Sequence, residues 1–280
     1  MAQPSRYAAR DGLRKRVGPV PPVLACLGVL LAGPGRVPAT EPLAAARELV
    51  VLDPGHGGAN LGAPGRNRLF EKQITLQVAE RLARLLRAHG YRVLLTRQRD
   101  QYLTLRERVR RSNAQPAAAF ISLHANASPD HSQRGVETFV LDPQVAEVEA
   151  RRAARRAGGP VAALLADLHA AHQLQESIRL ARAIQDSLVS LRGAVDRGVR
   201  QADHDVLAGV QAPAVLVEMG FIDHVVEGPL LEEPAVQDQI AQALLEGIQR
   251  FLQEGGPVPA VSGSERAPRR RGLNMARADH

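Results

Sequence analysis

Short apolar runs alternate along the chain with stretches of helical periodicity, and that alternation restricts the fold more than any other feature. Residues 49–52 form an apolar run stopped by Asp53-Pro54-Gly55, which predicts a strand ending in a turn. Residues 72–89 carry Leu76, Ala79, Leu82 and Leu86 at helical spacing, with Gly90 as the stop. Residues 91–96 predict a second strand. Thr104-Leu105-Arg106-Glu107 has the form of a capping box opening a short helix. Residues 118–123, 136–141 and 214–217 predict further strands, and 174–191 and 236–252 further helices. Such alternation implies an α/β layered domain with a largely parallel sheet. Residues 142–173 interrupt it. They hold Glu147, Glu149, Arg151, Arg152, Arg155 and Arg156 on a predicted helix, then Gly158-Gly159-Pro160, then an apolar stretch. A connection that long is expected to be functional or disordered.

The ends differ from this middle. Of the 280 residues, 1–39 carry a net charge of +5 and 255–280 carry +3, whereas 40–254 carry −1. The overall +7 therefore belongs to the termini, and a folded nucleic-acid groove loses its support. Aromatic residues are 3% of the chain with no Trp, which argues against a platform of stacking rings. Arg14-Lys15-Arg16, an uncharged run over 17–35 and Val37-Pro38-Ala39 follow the order of a secretory signal. Residues 1–39 are thus expected to be a cleaved leader, with an uncleaved anchor or a lipoprotein acylated at Cys26 as alternatives. Only in those alternatives does the chain engage a membrane. Cys26 is the single cysteine, so disulfides, thiol catalysis and cysteine metal ligands are excluded from the rest. Residues 255–280 have the composition of a disordered basic tail.

Three chemically capable residues follow strand ends. His56 lies after the first strand, His124 in Ser122-Leu123-His124-Ala125-Asn126 after the third, and Glu218 in Val217-Glu218-Met219-Gly220-Phe221. With parallel strands they would share one edge of the sheet, the edge where open α/β sheets bind ligands. Glu71, opening the first long helix, can return to that edge. Two His and a carboxylate are a common set for a catalytic zinc, and a further carboxylate can take a proton from water. Taken singly, each has an ordinary explanation: a hydrogen-bonded loop histidine, or a glutamate favoured by a helix dipole. Glu218 is harder to explain that way, because an apolar strand rarely ends in a buried carboxylate without a task.

The segments VVLDPGHGGANLGAPG, EKQITLQVAERLARLL, GYRVLLTRQRD, YLTLRERVRRSNA, FISLHANAS, RGVETFVL and PAVLVEMGFIDH, in this order, resemble the zinc-dependent N-acetylmuramoyl-L-alanine amidases over residues 48–252. The resemblance implies a single three-layer α/β domain with a mixed, mainly parallel sheet flanked by helices. It implies one zinc ion held by His56, Glu71 and His124, with Glu218 as the catalytic carboxylate. It further implies a peptidoglycan hydrolase of the periplasm or cell envelope that cuts between N-acetylmuramic acid and L-alanine. Arg97 and Asn126 are expected substrate contacts, with a loop-bracing role as the alternative for each.

Members of the family that separate daughter cells carry an extra segment where residues 142–173 stand. In them a helix covers the zinc until an activator protein displaces it. The resemblance thus implies a regulatory insert, with Glu147 or Glu149 in the open metal position. The residues equally allow a solvated helix of paired Glu and Arg. This chain departs from the family at Asn60, usually Asp, at His204, often Phe or Tyr, and at Asp223-His224, where an Asn is common. Two other readings stay open: an envelope protein that binds peptidoglycan without cutting it, and a zinc peptidase acting on another peptide.

Overall fold

The computed structural model describes residues 48–66, 69–157 and 159–254. The expected leader over 1–39, Cys26 and the basic tail over 255–280 lie outside these residues. The described residues belong to one compact unit, Ala45–His280.

Among the described residues, six strands form one sheet in the order β2-β1-β3-β6-β4-β5. They are β1 (Leu49–Pro54), β2 (Arg92–Leu95), β3 (Ala119–Asn126), β4 (Val136–Leu141), β5 (Asp196–Ala202) and β6 (Ala214–Phe221). The pairs β1/β2, β1/β3 and β3/β6 are parallel. Strand β4 runs antiparallel to β6 and parallel to β5, so the sheet is mixed and mainly parallel. Every residue of β1 is buried, as expected for a strand covered on both faces.

One face carries α1 (Glu71–Ala88), α4 (Pro160–Arg192) and α6 (Pro234–Glu254), which pack on one another and on the sheet. Ile74, Val78, Leu82 and Leu86 of α1 are fully buried there, one residue per turn. The opposite face is thinner. Leu49, Val51, Phe120 and Leu216 pack against Val206, Leu207 and Val210 of the loop after β5, with Val109 of α2 (Leu105–Ser112) at the side. The capping box of α2 forms as the sequence predicts: Glu107 N–H donates to Thr104 Oγ1 (3.2 Å) and Thr104 N–H to Glu107 Oε2 (3.1 Å). Among the described residues, no helix is long and apolar enough to cross a membrane.

Two expectations need correction. Residues 142–173 hold the predicted helix but are not otherwise an irregular connection. They form α3 (Pro143–Ala157) and the first turns of α4, which continues through the helix expected at 174–191. Gly159 has φ +85° and Pro160 stands in the first turn of α4, the position proline favours at a helix start. Strand β5 and the short α5 (Glu227–Glu232) went unforeseen. In β5, Asp-Arg-Gly-Val-Arg-Gln-Ala has no apolar run, because a half-exposed edge strand needs none.

Candidate metal centre

The parallel strands β1, β3 and β6 end on the same side, and their last residues meet the start of α1. His56 sits in the loop leaving β1 with φ +61°, followed by Gly57 and Gly58, also at positive φ. Such a backbone needs support for a non-glycine residue, and two buried arginines supply it. Arg108 donates from Nη1 to Asp53 Oδ1 (2.8 Å) and to the carbonyl of Pro54 (2.7 Å), and from Nη2 to the carbonyl of His56. Arg97 donates from Nε to the carbonyl of Pro54 (3.0 Å) and from Nη2 to those of Gly55 (2.8 Å) and Lys72 (2.7 Å). Asp53, fully buried, also accepts from Thr96 and from Ser122 Oγ (2.9 Å).

Arg97 thus has the contacts of the bracing alternative: it is 1% exposed and its guanidinium donates to carbonyls at the end of β1, the loop after it and the start of α1. Burial, with the charge of Arg108 added, pulls its pKa down to about 10. Asn126 does stand at the site, at the end of β3. Its Nδ2 donates to Glu137 (2.6 Å) and its Oδ1 accepts from the Ala127 amide (2.8 Å).

Glu71 lies between the two histidines. Its Oε2 is 2.8 Å from His56 Nε2 and its Oε1 is 2.8 Å from His124 Nδ1. The same oxygens accept from the amides of Ala63 (2.9 Å) and Ala125 (3.1 Å). Burial would raise the Glu71 pKa, but hydrogen bonds and charge from His124 and His56 outweigh it and hold the carboxyl far below its ordinary range. His56 shows the reciprocal effect. Burial pulls its pKa down, and the hydrogen bond and charge of Glu71 more than offset this, so it is raised. The rings of His56 and His124 stand edge to face, 4.9 Å between centroids. One nitrogen from each and one oxygen of Glu71 lie within 4.8 Å of one another.

This set fits a divalent cation. Asn60 Oδ1 is 2.9 Å from His56 Nδ1 and accepts from the Gly62 amide at 3.2 Å. An oxygen in that position requires the proton on Nδ1, which leaves Nε2, the atom facing Glu71, as the ligand nitrogen. The substitution of Asn for the family's usual Asp keeps this brace with less charge. Two glycines make the room. A Cβ on Gly55 would lie 2.4 Å from His124 Cε1, and one on Gly62 would lie 2.6 Å from Glu71 Oε2.

Glu218 completes a row across the sheet. It pairs in register with His124 of β3 on one side and with Glu137 of β4 on the other. A register shift between His124 and Asn126 re-aims the end of β3 at this point. Glu218 Oε2 is buried, with no hydrogen-bond partner among the described residues. Burial first, then the charges of Glu71 and Glu137, push its carboxyl well above the usual range. Glu137 is itself buried, and besides Asn126 it has Arg197 and Arg200 at 3.2 Å. It was not singled out from the sequence. The signal was available, because Val136-Glu137-Thr138-Phe139 places an acid inside an apolar strand as Val217-Glu218 does.

A cavity of about 440 Å³ opens beside the two histidines, with His56, Asn60, His124, Tyr102 and His204 in its wall. The His204 ring packs edge-on against Phe139 at 4.8 Å, and burial followed by the nearby His124 pushes its pKa down. The Asp223-His224 departure braces neighbouring loops. Asp223 accepts from the Ser128 amide (2.9 Å) and pairs with His131 (2.7 Å). His224 Nδ1 accepts from the amides of Val226 and Glu227 at the start of α5.

Glu147 and Glu149 do not fill an open metal position. Each pairs along its own helix, Glu147 with Arg151 and Glu149 with Arg152, and α3 packs on α4. Neither joins the side chains close enough to share an ion. This is the solvated charged helix that the residues allowed.

The N-acetylmuramoyl-L-alanine amidase family matches residues 50–250. The chain belongs to this amidase family. It is 31% identical over 220 residues to the N-acetylmuramoyl-L-alanine amidase AmiC of Neisseria meningitidis serogroup B, covering 74% of this chain and 53% of that protein. Against AmiA of Escherichia coli K12 it is 31% identical, covering 74% and 76%. Among solved structures it resembles the amidase AmiC2 of Nostoc punctiforme, at 30% identity, 74% and 97% coverage and a TM-score of 0.59. It also resembles the CwlD amidase of Clostridioides difficile, solved in complex with the GerS lipoprotein, at 26% identity, 74% and 100% coverage and a TM-score of 0.61. The chain spans about half the length of the AmiC relatives it matches. These amidase folds agree with the α/β architecture expected from the alternation of elements.

Proposed function

We propose that the chain hydrolyses the amide joining the lactyl group of N-acetylmuramic acid to L-alanine in peptidoglycan, using one zinc ion held by His56, Glu71 and His124. The observation that carries this reading is Glu71 clamped between two imidazoles, with the unpartnered Oε2 of Glu218 on the adjacent strand. A bound zinc ion would polarise the scissile carbonyl and lower the pKa of water toward neutrality. The chain's own residues do the rest. Asn60 fixes the His56 tautomer, so that Nε2 presents its lone pair. Glu218 takes the proton of the attacking water and delivers it to the leaving amine of L-alanine. A group that both accepts and returns a proton works best with a pKa near the working pH, and burial beside two other acids moves Glu218 in that direction. Arg197 and Arg200 balance the charge of Glu137, so the row of acids survives next to the site.

A polymer of the wall as substrate implies export, with residues 1–39 as the leader and the cell envelope as the place of action. The deciding experiment is a digest of purified cell wall with the purified protein, followed by mass analysis. Release of intact stem peptides with a free L-alanine amine is expected. Cleavage within the stem peptide would mark a peptidase, and binding without release a non-catalytic wall protein; either outcome sinks the proposal.

A further inference from the structure

Apart from the histidines, Tyr102 is the one aromatic side chain in the wall of the cavity beside the metal centre. It is 55% exposed, and its hydroxyl has no hydrogen bond among the described residues. Leu105, 47% exposed, and the buried Leu103 stand in the same wall. Single apolar side chains on a surface need no explanation, but a ring and two leucines beside reacting groups offer a surface to a ligand. The backbone holds the ring in place. Gly57 and Gly58 have φ +122° and +58°. A Cβ on Gly57 would lie 2.2 Å from the Gln101 carbonyl oxygen, and one on Gly58 would lie 2.6 Å from the Tyr102 nitrogen. Residues 101–102 therefore close directly on the loop that carries His56. Asp100 ties the two segments together. Its Oδ1 accepts from the Gly58 amide (2.7 Å) and its Oδ2 from Lys72 Nζ (2.7 Å), which also donates to the Gly58 carbonyl (2.9 Å).

The two sides of the cavity differ in charge. Residues 102–105 follow β2, at one edge of the sheet, and bring no charge to the wall. The charges around them are held elsewhere: Lys72 pairs with Asp100, Arg99 donates to Gln101 Oε1 (3.0 Å) and Glu107 caps α2. Neither these nor Arg106 lines the cavity; on this side only the buried pair of Arg108 with Asp53 does. Asp203, His204 and Asp205 come instead from the loop after β5, at the other edge of the sheet, and Glu137, Arg197 and Arg200 stand on β4 and β5 of that side. His56 and His124, from the ends of β1 and β3, lie between the two. The substrate has the same asymmetry. The scissile amide joins a muramyl sugar, whose ring is uncharged and presents a face of C–H groups, to a charged stem peptide. A neutral wall with an exposed phenol, apolar on its face and polar at its tip, matches the sugar half. One ring beside a reacting centre is a subsite, not the platform of rings that the composition argues against.

We propose that Tyr102, with Leu103 and Leu105, forms the subsite for the N-acetylmuramic acid ring, so that the stem peptide runs toward the β4–β5 side. The inference rests on the hydrolytic reading of the metal centre. It adds a direction for the substrate and a residue that reads the sugar. Tyr102 touches the sugar and takes no part in proton transfer.

The test compares two soluble substrates with the same scissile amide: an N-acetylmuramoyl tripeptide, and the same tripeptide carrying a D-lactoyl group without the sugar. Each is offered to the zinc-loaded parent chain, to Tyr102→Ala and to Tyr102→Phe. The parent should prefer the muramoyl substrate in kcat/KM. Tyr102→Ala should cut that preference about fivefold, through the KM of the muramoyl substrate, the size of one lost ring contact. Its zinc content and Tm should stay at parental values, as for an exposed side chain outside the metal site. Tyr102→Phe keeps the ring and should keep the preference; loss there would give the role to the hydroxyl and overturn the ring contact. The subsite also falls if the parent cleaves both substrates alike, if Tyr102→Ala retains the preference, or if it slows both equally. Cleavage of purified wall with neither small substrate accepted would put recognition beyond a single muramyl residue, which overturns it as well. Failure of the parent on the wall itself sinks the hydrolytic reading, and the subsite with it.

Discussion

A buried carboxylate oxygen without a partner destabilises a fold, and Glu218 carries that burden in the metal-free protein. Its carboxyl is raised in the folded state, so the sign of the pH effect follows. The stability it permits is fully present below the ordinary carboxylate range and is lost as pH rises through the raised value. Glu218→Gln removes that loss. The metal-free variant should therefore resist urea better than its parent at pH 8 and show no such advantage at pH 4, as followed by circular dichroism. The same variant should retain zinc while hydrolysis of purified peptidoglycan falls at least about a hundredfold, the contribution of a general acid–base group. Near-parental turnover would remove Glu218 from its role. Arg108 shows the opposite case, a buried ion pair with Asp53. Arg108→Ala strands Asp53 as an uncompensated charge and should cost about 3–5 kcal/mol in denaturant unfolding. It also frees the carbonyls of Pro54 and His56, so metal affinity should fall with stability.

At the scale of elements, the site depends on close approaches between loops and helix ends. Gly55→Ala places a methyl group against the His124 ring, and no rearrangement of a distant side chain relieves that. We expect Gly55→Ala to fold yet lose most of its zinc, as read by elemental analysis after dialysis. Legibility in the sequence follows the same divide. Strands β1, β3 and β6 were plain in the sequence because they are buried on both faces and read as apolar runs. Edge strand β5 was not, since Arg197 and Arg200 serve Glu137 and solvent instead of a core. Helix α3 is legible from its paired Glu and Arg, but the start of α4 at Pro160 is not, because Gly and Pro punctuate turns and helix starts alike. The place of Arg97 is not legible, because it depends on the end of β1 and the first turn of α1 meeting to offer the carbonyls of Pro54, Gly55 and Lys72. No spacing in the chain reports that.

For the molecule as a whole, a cation bound to the native state alone should shift the folding equilibrium by mass action. At free zinc a hundred times its dissociation constant the gain is about 2.7 kcal/mol, which for a domain of this size is roughly 5–10 °C in Tm. Chelation should reverse the shift, and differential scanning calorimetry with and without zinc measures it. An unchanged Tm would mean that the ligand set is not closed by the ion. The positions of His56, His124, Glu71 and Glu218 could be read from strand ends and family motifs. Their common edge could be expected once the strands were taken as parallel. The hydrogen bond of Asn60 to His56 depends on the turn between them, and that of Asn126 to Glu137 on the ends of β3 and β4 meeting at the site.

The most direct measurement is zinc per chain in the parent protein and in His56→Ala, Glu71→Gln and His124→Ala, each purified folded and dialysed against trace zinc. One zinc per chain in the parent and a large loss in all three variants is the predicted result. Full occupancy in the variants, or none in the parent, would contradict a metal centre at the edge of this sheet.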